Sequence, residues 1–582
     1  MATLVSALAW VKRGVAAEHP IKYEIDEKEV ARVSELAREE LEGLRGELDD
    51  DDDGDDGGDD DREDNERRGG GMAEEDHEED WEDTSTSSRE KDPNGMDVDA
   101  QEEKDEMAKY KLDEYDQVGP QKSRLFSNIK GLTYYKEDEE DPYITLKEDD
   151  EEEEQEQLQI YGTDNLIVIA KTEDEIPQLE VYVYDEKSEN IYVHHDFLLP
   201  SLPLCLEWLD FPPASSSSSS RRRQQGQGPS STGNFIAVGT FEPEIEIWSL
   251  DMVDGLFPDA ILGRPDKTKQ LLQQQQQQEE EDMENGSSTK KKKKKKKKKQ
   301  AKKEVNPNYH VDAVLALSWN RSYRNLLASA SADTTVKLWD LSRDLTASGD
   351  DESGGAIRSF QVHRDKVQAI QWNVMDPSVL LTGSYDRTVK TFDSRAPDGS
   401  VGAMLGADVE AVRWDPWDPH CFFVSLENGY VLNFDARTLS SDPARSSSTR
   451  FTLFAHDGAV SALDVNPHIP GCLVTGGTDK LVKIWNVNET GGKRDVSLVT
   501  SRDLDVGKVF TAAWSPDDAL TIAAGGSKGK LQIWDVGANA GARKTLATKL
   551  KNASVALREK TGDGVVGVAS DDEDDEDEEE DA

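Results

Sequence analysis

Cysteine is nearly absent: Cys205, Cys421 and Cys472 are the three in 582 residues, and none stands in a Cys-x-x-Cys spacing. That argues against a disulfide framework or a cysteine zinc site, and suits a reducing compartment. Long apolar runs are missing too. No stretch approaches the roughly 18–20 residues that span a bilayer, and the short run Leu4–Val11 lacks the basic start of a signal peptide. The expectation is a soluble intracellular chain with no membrane partner. Basic charge is scarce, 68 Lys and Arg against 121 Asp and Glu, for a net charge of −53. The deficit is local. Residues 1–160 hold 55 acidic against 20 basic side chains, and Asp571–Asp581 is eleven acids without a break, which leaves −7 for everything between. Segments such as Asp49–Asp61 have too little apolar surface to offset the entropy of ordering and read as disordered arms. Such arms either hold basic proteins, histones or ribosomal proteins among them, or only solubilise.

The near-neutral middle is repetitive. Leu326–Asp340 (LLASASADTTVKLWD) recurs as Leu380–Asp393 (LLTGSYDRTVKTFD) and Leu473–Asn486 (LVTGGTDKLVKIWN), with weaker copies at Phe422–Asp435 and Ile522–Asp535. Each is two alternating apolar and β-branched stretches around a polar turn, the pattern of a hairpin. A second aromatic leads the closing one by 20 residues: Trp319 and Trp339, Trp372 and Phe392, Trp414 and Phe434, Trp514 and Trp534. Val465 leads Trp485 by the same step, and Trp208 leads Trp248 by 40 across a Ser/Arg/Gln-rich insert. With Tyr184 closing the earliest unit, seven units emerge. Seven four-stranded units stacked radially make an all-β, seven-bladed β-propeller of the WD-repeat type. The first unit begins late and needs a further strand; Ala553–Leu557 and Gly564–Val568, near the C-terminus, are the two expected sources. The expected organisation is a docking segment at 1–48 and a mostly disordered acidic arm at 49–157 with short motifs at 107–146. The propeller follows at 158–560, with inserts near 213–232 and 264–304, and an acidic tail at 561–582.

Several residue sets look chemical. His310, Ser329 and Asp333 stand around Trp339, His363, Thr382 and Asp386 around Phe392, and His456, Thr475 and Asp479 around Trp485. A catalytic triad is built once, whereas these recur, so they read as buried hydrogen-bond chains tying each blade's turns together. Gly525–Lys530 (GGSKGK) fails as a phosphate loop because Ala524 and Leu531 occupy the positions that need Gly and Ser or Thr. His194 and His195, adjacent on a strand, should point to opposite faces and not share a metal. The expectation is a chain that is not an enzyme, with no cofactor and no small-molecule substrate.

The informative charges are basic. Lys290, Lys291, Lys292, Lys293, Lys294, Lys295, Lys296, Lys297, Lys298 and Lys299 form an unbroken run between the second and third units. Such a block serves as a nuclear or nucleolar address or as a salt-sensitive grip on phosphate. Asp26–Leu48 carries Val30, Val33, Leu36, Ala37, Leu41, Leu44 and Leu48 at three- and four-residue steps, one amphipathic helix. Behind Trp10–Gly14 it reads as a docking peptide. Ser570, heading the acidic run, suits an acid-directed kinase. For partner or RNA contacts the rim positions Tyr385, Arg364 and Lys366 form the best exposed patch, with Lys508 on the same rim.

On these residues the chain resembles the periodic tryptophan protein 1 family of nucleolar WD-repeat proteins. The resemblance runs through Trp10–Gly14, Tyr110–Asp116 (YKLDEYD), Glu139–Leu146 (EEDPYITL), Asp164–Ile169 and Val193–Pro200 (VHHDFLLP). It continues through Phe235–Leu250, the lysine-rich loop, Asp312–Asp340 and Gly471–Trp485. It departs at the Ser and Gln inserts and at Lys528, where a turn Asp is usual. The resemblance implies a nucleolar scaffold that works with ribosome-assembly factors and precursor rRNA of the large (60S) subunit and supports rRNA processing. Two other readings stand beside it. One is a histone-binding chromatin factor at ribosomal DNA. The other is a cullin ubiquitin-ligase substrate receptor, suggested by Phe392–Arg395 and Phe434–Arg437, which approximate a Trp-Asp-x-Arg motif.

Overall fold

The computed structural model describes residues 3–23, 156–214, 232–263, 305–343, 355–442, 447–490, 493–553 and 564–568. Among these, seven four-stranded antiparallel sheets follow one another around a ring. Blade 1 comprises Leu4–Val11, Asn165–Glu173, Ile176–Asp185 and Asn190–Leu198, and blade 2 Pro203–Leu209, Phe235–Thr240, Ile245–Ser249 and Ala260–Leu262. Blade 3 comprises Val314–Trp319, Leu326–Ser331, Val336–Asp340 and Arg358–Phe360, and blade 4 Val367–Trp372, Val379–Ser384, Thr388–Asp393 and Ala396–Met404. Blade 5 comprises Val409–Trp414, Cys421–Leu426, Tyr430–Asp435 and Phe451–Phe454. Blade 6 comprises Ala462–Val465, Cys472–Gly476, Leu481–Thr490 and Lys493–Asp503. Blade 7 comprises Val509–Trp514, Thr521–Gly526, Leu531–Asp535 and Val565–Gly567. The second strands of blades 2, 5 and 7 are buried on both faces, as expected where each sheet is sandwiched between neighbours.

Strand register explains the 20-residue spacing. Trp319 pairs with Leu327, and Leu327 with Trp339, so the leading and closing aromatics flank one residue of the second strand. The same triplet is Trp372, Leu380, Phe392 in blade 4 and Trp514, Ile522, Trp534 in blade 7. In blade 1 it is Trp10, Ile167 and Tyr182. The register-equivalent aromatic of the first unit is therefore Tyr182, not Tyr184, and Trp10 is the leading tryptophan that unit lacked.

This corrects two expectations. The first blade is completed by the N-terminal strand Leu4–Val11, not by a C-terminal one; Val565–Gly567 instead pairs with Leu531–Asp535 as the outer strand of blade 7. Ala553 ends an α-helix, Ala540–Asn552. The docking reading of the N-terminus consequently does not hold for Leu4–Val11, which is part of the disk. The physical reason is lateral packing: Val5, Leu8 and Trp10 share a buried cluster with Ala523, Leu531 and Ile533 of blade 7. Trp10 Nε1 donates to the Ala513 carbonyl at 3.2 Å. Arg13 completes the closure, its guanidinium 2.5 Å from Asp518 and 3.2 Å from Glu186 and its backbone N–H on Asp517 at 3.0 Å. Beyond it, Ile21–Lys22 adds a parallel pair to Met252–Val253 at blade 2. The amphipathic segment Asp26–Leu48, the acidic arm, both inserts with Lys290–Lys299, and Ser570 with the acidic tail lie outside the described residues.

The helix Ala540–Asn552 sits between the third and fourth strands of blade 7. Asn539 caps it, its Oδ1 accepting from Gly541 and Ala542 at 2.8 and 3.1 Å. Ala542, Leu546 and Leu550, spaced by four, bury one face in the cluster that holds Trp534 and Leu520. Lys549 folds back to bond Asn486 Oδ1 and the Val487 carbonyl.

Candidate functional site: the blade network and the rim

In blade 3 the structure brings the expected residues into one chain. Trp339 Nε1 donates to Ser329 Oγ at 2.8 Å, Ser329 Oγ meets His310 Nε2 at 2.7 Å, and His310 Nδ1 meets Asp333 Oδ2 at 2.9 Å. Blade 6 repeats it, with Trp485 to Thr475 at 2.8 Å, Thr475 to His456 at 2.8 Å and His456 to Asp479 at 2.9 Å. In blade 4 Phe392 has no N–H, and the chain runs from Thr382 through His363 to Asp386 at 2.8 and 3.1 Å. The consistent tautomer is the neutral imidazole with the proton on Nδ1. Burial lowers all three histidine pKa values against the pull of their aspartates. Burial works against the Asp333 carboxylate too, but bonds from His310 and Thr335 hold it down at about 2. Ser329, Thr382 and Thr475 are fully buried. A hydroxyl sealed in this way has no access to a substrate, and the arrangement fixes the turn that each aspartate caps.

The structure shows three further recurring devices. In the inner strands of blades 2, 3 and 4, the side chain before the leading tryptophan accepts the backbone N–H of the next blade's leading tryptophan: Glu207 from Trp319 at 3.1 Å, Ser318 from Trp372 at 3.1 Å and Gln371 from Trp414 at 2.6 Å. Asp464 accepts from Trp514 in the same way at 2.9 Å. One residue on from the leading position, Asn320, Asn373 and Asn466 each donate from Nδ2 to a carbonyl of the following blade at 2.7–2.8 Å. Within blades, Lys337 and Lys483 reach carbonyls of the preceding loop, at Asn306 and Ala455, and Lys390 does so at Val362. Lys337 is buried outright, which pushes its ammonium down to about 8. The repeated Val-Lys before the closing aromatic was the signal for the last device. The acceptors in the inner strands vary in type and gave none.

The rim is built from the turns between second and third strands and the loops that enter each blade, hydrogen-bonded to each other. Tyr385 N–H donates to Lys366 O, Thr478 N–H to Ala459 O and Ser527 N–H to Lys508 O, at 2.9–3.0 Å. Tyr385, Arg364 and Lys366 therefore come together on blade 4, with Arg364 N–H on Asp386 Oδ2 at 3.0 Å. Lys508 is on the same rim but at blade 7. The surroundings of Tyr385 add what the sequence reading missed: burial, then Glu410, Asp408 and Glu427, push its phenol up to about 12. Blades 4 and 5 thus present an acidic sector beside the basic pair. Blades 6 and 7 present the opposite sign, with Lys480, Lys508, Lys528 and Lys530 all exposed. Gly263 and Val305, the described residues flanking the lysine run, stand at the end of blade 2 and the entry to blade 3.

His194 and His195 depart from expectation. A β-bulge opposite Val181 and Tyr182 breaks the alternation, and the two Nδ1 atoms meet at 2.7 Å. His194 Nε2 bonds the Leu158 carbonyl at 2.9 Å. Burial, then the neighbouring imidazole, drives His195 down to about 3. Among the described residues no third ligand joins them into a metal-holding group, and the pair pins the chain entering blade 1. Arg395 and Arg437, the arginines of the two Phe-Asp-x-Arg stretches, are exposed and each is paired with its own repeat's aspartate at 2.6 and 2.7 Å.

The family model "WD domain, G-beta repeat" matches residues 306–340, 354–393, 447–486 and 503–535. An uncharacterised WD repeat-containing protein of Schizosaccharomyces pombe is 40% identical over 94% of this chain and 92% of its own. Periodic tryptophan protein 1 of Saccharomyces cerevisiae is 33% identical over 96% of this chain and 92% of its own. A homologue of the latter in Drosophila melanogaster is 27% identical over 90% of this chain and 92% of its own. At 40% and 33% identity over nearly the whole length of both partners, the chain belongs to the periodic tryptophan protein 1 family of WD-repeat proteins.

Proposed function

We propose that this chain is a non-enzymatic scaffold of ribosome biogenesis that assembles early large-subunit precursors and supports rRNA processing in the nucleolus. Family membership across nearly the full length carries the reading, because that family's resemblance implies this role while a propeller as such serves many. The architecture suits it. A rigid ring whose buried histidines and hydroxyls are consumed in tying turns keeps its exposed rim for partners. The lysine run at 290–299 supplies a sequence-independent attraction to precursor rRNA and a nuclear address. Assembly factors and basic ribosomal proteins are the protein partners of this reading. The acidic sector of blades 4 and 5, around Tyr385, favours a second reading in which a basic histone segment docks there. Gradient sedimentation of tagged protein from growing cells distinguishes the two. Comigration with large-subunit precursors, together with loss of mature large-subunit rRNA on depletion, supports the scaffold. Comigration with nucleosomes alone overturns it.

A further inference from the structure

Four lysines cluster on the rim of blades 6 and 7. Lys528 bonds Asp505, and Lys530 lies 4.0 Å from the same carboxylate. That carboxylate is lowered by its bond to Lys528 and by the charges of Lys528, Lys530 and Lys480. Lys508 joins them through two bonds to Ser527, its carbonyl accepting from the Ser527 N–H and its N–H donating to Ser527 Oγ. Against four ammonium groups stand Asp505 and Asp503, whose Oδ1 holds the Asp505 N–H, so the sector is net positive. The loop is held in a demanding conformation, with Asp505 at φ 60° and Gly507 at φ 73°, and it keeps the lysines on the outer surface of the rim.

The chain's own C-terminus leaves the ring at this place. The strand Val565–Gly567 runs antiparallel to Leu531–Asp535, with Val565 opposite Trp534 and Gly567 opposite Gln532. Val568 therefore emerges beside Leu531, one strand spacing of about 4.8 Å away and next to Lys530. Ala569 and Ser570 follow, and then the eleven acids Asp571–Asp581. Fully extended, eleven residues reach about 36–40 Å, enough to cross the tops of two adjacent blades. A tether of two residues also keeps the local concentration of acid in the millimolar range or above.

We propose that the acidic tail Asp571–Asp581 folds back onto Lys480, Lys508, Lys528 and Lys530 and occupies this basic sector of the rim. The contact is electrostatic, so it weakens with salt, and it screens the sector from other polyanions until they displace the tail. This goes beyond the scaffold role and does not depend on it.

The test is zero-length carbodiimide crosslinking of the full chain, read by mass spectrometry at 50 and 500 mM KCl. Crosslinks from residues 571–581 to the four lysines are expected at low salt, falling on the order of tenfold at high salt. They should vanish in a full-length Lys480→Glu, Lys508→Glu, Lys528→Glu, Lys530→Glu variant that retains the parent's circular dichroism and melting temperature. In a second arm, a full-length variant with the eleven acids changed to Asn and Gln should show acetylation of Lys508 and Lys528 several-fold faster than the parent. Tail crosslinks concentrated on Lys290–Lys299, or seen only between differently isotope-labelled molecules, would assign the tail elsewhere and overturn the proposal. So would oligouridine binding to the four lysines with equal affinity whether or not the tail is charged.

Discussion

Replacing Trp10 with alanine removes the leading tryptophan of blade 1 at the seam where the ring closes. The side chain is 9% exposed, stands edge-on to Tyr184 at 6.5 Å between centroids, and donates its indole N–H to Ala513 of blade 7. Truncating a buried tryptophan costs about 3–5 kcal/mol through lost transfer energy and residual cavity, and loss of the indole bond to the Ala513 carbonyl adds about 1 kcal/mol. For a domain of this size each kcal/mol moves the melting temperature by roughly 2–4 °C at most, so a drop on the order of 10 °C is expected. Thermal melting followed by far-UV circular dichroism measures it. A Met404→Ala control, at a side chain 61% exposed on blade 4, should stay within about 0.5 kcal/mol. If Trp10→Ala melts with the parent, the N-terminal strand is not part of the ring and the docking reading of Trp10–Gly14 returns.

The remaining predictions concern the same seam and the blade networks. Arg13→Met leaves Glu186, Asp517 and Asp518 facing one another. Burial already raises the Asp518 pKa against the offsetting charge of Arg13, so an Asp518 carboxyl without that charge should titrate higher still. A carboxyl with a raised folded pKa gains folded-state stability as pH falls, so the variant's deficit in urea unfolding should shrink from pH 7.5 to pH 5; an undiminished deficit contradicts the cluster. The neutral His310, His363 and His456, with folded pKa values below their unfolded ones, contribute stability that is lost as pH drops below about 6.5. Each should add about 1.4 kcal/mol per pH unit to that loss, and His456→Gln should reduce the slope by one histidine's share. Gly525→Val would place a Cβ 2.6 Å from Val5 Cγ1, so it should destabilise the seam by more than about 1 kcal/mol while the exposed Lys528→Ala does not.

Which parts of this were legible follows from where repetition survived. Blades 3, 4 and 6 carry a histidine, a hydroxyl and an aspartate at fixed offsets because one buried hydrogen-bond chain needs all three, and any repeat that keeps the chain announces itself. Blade 5 has Glu427-Asn428-Gly429 at its turn and no entering histidine, so only the weak copy Phe422–Asp435 and the pair Trp414 and Phe434 mark it. Blade 1 hid its first strand because some 150 residues separate Val11 from its partner Leu166 in register, and a run of alternating burial as short as Leu4–Val11 carries no sign of its distant mate. The bulge at His194 was invisible for a related reason: strict alternation is the expectation for any strand, and only a register shift against Val181 reveals the exception. In the sequence the rim lysines Lys528 and Lys530 belong to a failed phosphate loop, with Lys528 where a turn Asp is usual. Their closeness to Lys480 and Lys508 depends on two blades meeting around the ring, which no local pattern encodes.

The most direct test of the assembly-scaffold reading is ultraviolet crosslinking of tagged protein in growing cells, with sequencing of the RNA retained. Crosslinks clustered at defined sites of large-subunit precursor rRNA, reduced when Lys290–Lys299 are changed to glutamate, are what the account predicts. RNA recovered no more than from an untagged strain, or spread without preference over messenger and transfer RNA, would contradict it.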